Sequence, residues 1–98
     1  MHAERRSEPR EICFVEIMIC RHMSALGFEP ALMIDRSQNG ARIVALQAMQ
    51  PDEHFLLKTT ESGLAVLVYR AMHCTELGDG RFSVGARFVR TVGEHEGG

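Results

Sequence analysis

No apolar run in this 98-residue chain is long enough to cross a membrane as a helix. The N-terminal stretch MHAERRSEPR lacks the apolar core of a secretory signal. Membrane insertion and export are therefore not expected. Cysteine is sparse and odd in number: Cys13, Cys20 and Cys74 form no CxxC. That spacing suggests neither a disulfide framework nor a zinc knuckle. Reduced thiols in the cytoplasm are the simplest reading. There is no excess of base either. Lys and Arg number 11 against 13 Asp and Glu, a net charge of −2. A protein that grips a nucleic acid polymer needs a strong basic footprint. Internal repeats, low-complexity blocks and a long amphipathic helix are also missing.

What remains is an ordinary globular composition, 45% hydrophobic and 24% charged. At this length one domain with a modest core is expected. Charge is uneven: Arg5, Arg6 and Arg10 crowd the N-terminal arm, while Glu94 and Glu96 lie in a tail without Lys or Arg. Glycine and proline separate apolar runs of strand length. Ile12 to Ile19 also fits a helical period, but its β-branched content and the preceding Pro9 favour a strand. Further strands are predicted at about Ala31 to Asp35, Ala41 to Leu46, Phe55 to Lys58 and Leu64 to Met72. Gly78-Asp79-Gly80 predicts a hairpin connection. In the last strand Phe82, Val84, Ala86 and Phe88 face one way, and Arg81, Ser83, Gly85 and Arg87 the other. A helical turn before Pro51 is allowed by the good helix formers in RIVALQAMQ. Six short strands with turns between predict an all-β fold, a small barrel or sandwich, of which the barrel closes its own edges.

Two polar clusters interrupt this pattern. The first is Arg5-Arg6-Ser7-Glu8-Pro9-Arg10. Pro9 holds Glu8 extended, so the segment is not helical. Arg6 and Arg10 would stand ~13 Å apart at full extension. Guanidinium groups fork onto phosphate or the O6/N7 edge of guanine, and they stack on bases. A solvated basic tail is the plain alternative. The second cluster is Asp35-Arg36-Ser37-Gln38-Asn39-Gly40. Its plain reading is a turn, with Asp35 and Ser37 bonding local amides and with Asn39 and Gly40 tolerating positive φ. Its functional reading uses the same groups. Asp35 can accept both N–H groups on the Watson–Crick edge of a guanine, Ser37 can donate or accept beside it, and Gly40 lets a ligand approach the backbone.

In this order, Arg-x-x-x-Arg (Arg6, Arg10) before the first strand and Asp-x-Ser-x-x-Gly (Asp35, Ser37, Gly40) between the second and third, the chain resembles the PilZ family. NGARI after the second motif and VGARFV in the last strand are similar to that family too, and the likeness runs from Glu4 to Val92. The resemblance implies a six-stranded antiparallel β-barrel that binds the bacterial second messenger cyclic di-GMP. It implies that Arg6 and Arg10 grip phosphates and guanine edges, that Asp35 reads a guanine supported by Ser37, and that Gly40 keeps the turn open. Arg5 would help hold a second, stacked ligand molecule. Residues 1–11 would form a flexible arm, 12–92 the barrel and 93–98 a disordered tail. Two departures stand out. Arg36 and Gln38 fill positions that are often apolar or small in the family. The helix that often follows the last strand is little or absent, since only Gly93 to Gly98 remain. One barrel opening is thus expected to be bare, or covered by a partner or a second copy as in a homodimer.

Other residues carry plainer expectations. Cys20-Arg21-His22 and His73-Cys74 match no usual zinc spacing, so no metal site is expected. The cysteines read as small hydrophobes, and Met18, Met23, Met33, Met49 and Met72 as core or rim fillers. Nothing supplies an oxyanion site or a third partner for a Cys/His pair, so no catalytic residue is assigned and no enzyme activity is expected. No cofactor is implied beyond the ligand itself. Arg42 and Arg87 read as outward residues on a solvated face. The expected role is a receptor that relays ligand binding to a downstream protein, or else an adaptor of the same fold that binds no nucleotide.

Overall fold

The computed structural model describes residues 9–21, 27–59 and 65–92. They form six strands: β1 Glu11–Arg21, β2 Glu29–Arg36, β3 Gly40–Ala45, β4 His54–Thr59, β5 Val66–Glu76 and β6 Phe82–Val92. Every predicted strand is present, several longer than expected. The order round the sheet is β1-β2-β3-β6-β5-β4, all antiparallel, and β1 also pairs with β4 to close a barrel. The described residues contain no helix. The arm before Pro9 and the tail after Val92 lie outside the described residues.

Alternation builds the core. Ile17 and Ile19 of β1, Met33 of β2, Ala41, Ile43 and Ala45 of β3, and Phe55 and Leu57 of β4 point inward and are buried. Tyr69 and Ala71 of β5 and Val84 and Ala86 of β6 complete the interior. Each of the large aliphatic and aromatic side chains contributes about 1.5–3 kcal/mol by leaving water. Tyr69 stacks on Phe55 at 6.1 Å and meets Phe88 edge-on at 5.7 Å. Ala41, Ala86 and Ala71 lie in register on neighbouring strands, a row of small side chains under the outer surface. Cys13 and Cys74 are half-buried and pack against this core as small hydrophobes. Met33 and Met49 are core residues, but Met72 is exposed, and Met23 lies outside the described residues.

The turns use particular backbone chemistry. Gly78 and Gly80 take positive φ, 91° and 87°, in the hairpin between β5 and β6, and Leu77 N–H donates across it to Arg81. The Asp79 carboxylate accepts from the Arg81 guanidinium and backbone, which holds its pKa below the ordinary value. The connection from β3 to β4 joins strands that are not neighbours, so it spans one barrel mouth. Met49, 3% exposed, turns inward from it as a plug. No helical turn forms there, because the segment serves as a cross-tie. Glu53 accepts from Arg21 at 2.7 and 3.1 Å and from Gln50 N–H at 2.9 Å. Its backbone also bonds Ala71.

β1 carries the main irregularity. Its register with β2 shifts between Ile12 and Val15, and Phe14 sits in the left-handed region at φ 47°. A bulge of this type re-aims the chain. Ile12 and Phe14 are exposed on either side of it, close in sequence to Arg10.

Candidate functional site

Asp35 lies one residue from the end of β2, opposite Ile12 of β1 and Arg42 of β3. Strict alternation from buried Met33 would turn it inward. A second register shift, between Met33 and Asp35 on the β3 side, puts it on the outer face instead. There it meets Arg10. Both Nε and Nη2 of Arg10 donate to Asp35 Oδ1, at 2.9 and 2.6 Å. Arg42 Nε stands 3.5 Å from the other oxygen, Oδ2. The Asp35 side chain is 17% exposed, that of Arg10 45%. The two motifs, 25 residues apart in sequence, therefore touch.

Ser37 and Gly40 close the β2–β3 turn through a 2.9 Å bond from Ser37 N–H to the Gly40 carbonyl. Asn39 accepts from Phe88 N–H at 2.8 Å, which ties the turn to β6. The sequence suggested positive φ for Gly40 and Asn39, and neither uses it. Gly40 is needed for space: a Cβ there would sit 2.8 Å from the Ala86 carbonyl oxygen. Arg5 and Arg6 lie outside the described residues. Of the six residues expected to bind ligand, the structure brings Arg10, Asp35, Ser37 and Gly40 together.

Beside Asp35 and Ser37 lies a shallow hollow of about 210 Å³, lined by Arg10, Asn39, Gly40, Arg42, His73 and Arg87 among others. Three arginines and one carboxylate make this patch locally positive on a chain of net charge −2. Clefts of one sign concentrate oppositely charged ligands. Arg42 and Arg87 were expected on a solvated face. They do point outward, but into this patch. The register Asp35–Arg42–Gly85–His73, read across four strands, is what assembles it. The sequence signal was the pair of outward glycines, Gly40 and Gly85, each one residue from an inward alanine.

No group of three metal-ligating side chains occurs among the described residues. No helix among them is long and apolar enough to cross a membrane. A scan against protein-family models finds no match, and a search of curated proteins finds no relative.

Proposed function

We propose that this chain is a PilZ-like receptor for cyclic di-GMP that relays binding to a downstream protein through ordering of its N-terminal arm. The contact between Arg10 and Asp35 carries the reading. Two motifs that are each weak alone meet on one outer patch, beside a turn kept tight by Gly40. The ligand offers two phosphates and two guanines, and guanidinium and carboxylate groups are suited to both. In this reading Asp35 exchanges the Arg10 guanidinium for a guanine edge. Arg10, with Arg6 and Arg5 from the arm, turns to phosphate and base. Fixing the arm costs about 1–2 kcal/mol per residue, offset by charge-assisted hydrogen bonds of about 1.5–3 kcal/mol each.

Calorimetric titration of the chain with cyclic di-GMP tests this and gives the stoichiometry, one ligand or a stacked pair. Heat at micromolar ligand is expected. None at high micromolar ligand would sink the reading. Amide exchange over residues 3–10 should slow when ligand is added; unchanged exchange would remove the arm from the mechanism.

A second reading, an adaptor that works by protein contact alone, draws on a different observation. The outer face of β1, β2 and β3 holds a largely apolar hollow of about 400 Å³, lined by Met18, Pro30, Leu32, Val44 and Leu46. Such patches suit protein partners.

A further inference from the structure

The outer face of β4, β5 and β6 carries a second group of basic side chains. His54, Arg70 and Arg87 are cross-strand partners, set in one row over the three strands. Their chain neighbours Phe55, Tyr69, Ala71 and Ala86 are buried in the interior, so all three point outward. With strands ~4.8 Å apart, the row spans about 10 Å. Like charges directly opposite one another, as Arg70 and Arg87 are, lower the stability of a sheet. Asp52 stands 3.5 Å from Arg70, too far for a hydrogen bond. No carboxylate among the described residues lies within ion-pair distance of Arg87 or Arg90. The row weakens the barrel, so its use lies outside the fold.

The next outward row reads Cys20, Leu56, Val68 and Arg90 across β1, β4, β5 and β6. Its middle is apolar. Val68 faces away from the interior, yet it is 6% exposed. A hollow of about 480 Å³ lies over this row, lined by His54, Leu56, Val68, Val89 and Arg90 among others. That volume is within the ~300–1,000 Å³ that receives a compact organic group. Arg21 also lines it but is engaged by Glu53 and Gln47. The two features together select a class of occupant. A phosphate polymer would use the cations and leave the apolar floor bare. A purely apolar group would leave the cations unused. A peptide segment with carboxylates around one apolar side chain uses both. Guanidinium groups fork onto carboxylates, and an apolar anchor in a pocket supplies binding energy.

We infer that this face docks an acidic, apolar-anchored segment of a partner protein. The anchor enters the hollow over Leu56 and Val68, and its flanking carboxylates meet Arg70 and Arg90. The face is separate from the apolar hollow on β1, β2 and β3. Arg87 ends the row and also lines the hollow beside Asp35, so the test leaves it in place. The inference does not depend on nucleotide binding: the face serves a receptor and a plain adaptor alike.

The test is fluorescence anisotropy of a labelled peptide, Glu-Glu-Phe-Glu-Glu, titrated with the full chain and no nucleotide. Saturable binding is expected, and a Lys-Lys-Phe-Lys-Lys peptide should not bind. Arg70→Ala and Arg90→Ala should each weaken binding about fivefold, ~1 kcal/mol. The urea midpoint of Arg70→Ala should hold or rise, because the like-charge contact is relieved. Val89→Ser, at an exposed position of the lining, should cost about threefold without a change of charge. Arg81→Ala makes the same charge change on the β5–β6 hairpin and should stay within about twofold. If the acidic peptide binds no better than the basic one, the docking face is wrong. Equal losses in Arg70→Ala, Arg90→Ala and Arg81→Ala would make the effect general charge and overturn it too. If Glu94→Gln with Glu96→Gln raises affinity about tenfold, the chain's own acidic tail fills the hollow and the partner is struck out. Binding to phosphatidylglycerol vesicles without binding to the peptide would assign the face to a lipid surface and likewise overturn the inference. Heat from cyclic di-GMP bears on the receptor reading alone, so the two readings fail separately.

Discussion

Arg21 meets Glu53 through two nitrogens and two oxygens, at 2.7 and 3.1 Å, and spends its remaining Nη1 on Gln47 at 3.0 Å. Arg10 meets Asp35 by placing two nitrogens on one oxygen. The first pair is 27% and 13% exposed, the second 45% and 17%. Glu53 is further satisfied by Gln50 N–H, and its hydrogen bond raises the Arg21 pKa above the ordinary value. Asp35 keeps an oxygen turned toward Arg42 at a distance of 3.5 Å, too long for a hydrogen bond. The same two chemical groups thus serve two purposes. A forked pair with every acceptor engaged fixes the chain across a barrel mouth. A lopsided pair with an exposed guanidinium can exchange partners. What separates a tie from a site is the share of hydrogen-bonding capacity left over, more than the presence of an ion pair.

The sharpest way to break that comparison is to truncate the exchangeable pair. Arg10→Ala or Asp35→Ala should weaken cyclic di-GMP binding at least ~30-fold, the lower end of the 2–5 kcal/mol lost when one partner of a charged contact is removed. Urea unfolding of the same variants should shift by less than about 0.5 kcal/mol, as for exposed pairs in general. A large stability loss without a binding loss would make Arg10–Asp35 a tie like the other. Glu53→Ala should behave in the opposite sense. It strands the Arg21 guanidinium and Gln50 N–H, so unfolding should shift by about 2 kcal/mol while affinity holds. Gly40→Ala should destabilise by about 1–2 kcal/mol, because its Cβ meets a carbonyl oxygen that the β3–β6 ladder holds in place.

Tyr69 packs between Phe55, which pairs with Arg21, and Phe88, which neighbours Arg87. Burial pushes its pKa above the ordinary 10.0, and Arg36 opposes this in part. The raised native pKa leaves its contribution to stability intact below about pH 10 and removes it as pH climbs through the folded value. With one tyrosine and no tryptophan in the chain, ultraviolet absorbance reads this group alone. A midpoint at or below 10 would contradict the packing, and Tyr69→Phe should remove this part of the alkaline loss. The smallest effect is expected at Phe14→Gly. Releasing a left-handed aromatic residue gains about 1–2 kcal/mol, less roughly 0.5–1 for glycine in a strand. Denaturant curves should show a net gain of about 0.5 kcal/mol.

The six strands were legible because β-branched runs and Gly/Pro breaks state them locally. Their order round the barrel was not, since nothing in a strand names its neighbour. The site was half legible. Asp35, Ser37, Gly40 and Arg10 stood out as motif residues, yet the positive φ expected of Gly40 is not what the fold uses it for. The close approach to Ala86 depends on a strand some forty residues later. Arg42, Gly85 and Arg87 were present in the alternation of β3 and β6. They converge with Asp35 only after a bulge at Ile34 turns that carboxylate outward, and bulges leave little trace in composition. The stretch before Pro51 reads as helix-forming because Met49, Gln47 and Gln50 are chosen for contacts across the mouth, not for local propensity.

The pairing of β4 with β1 has a bearing on how another protein could hold this one. Many signalling domains capture a partner by letting it donate a strand to an open sheet, so that main-chain groups supply affinity and little sequence is needed. Along the paired lengths of these six strands every such position is taken. A partner that docks along those lengths must read side chains, and a change of side chains there is what a ligand at the proposed site would present.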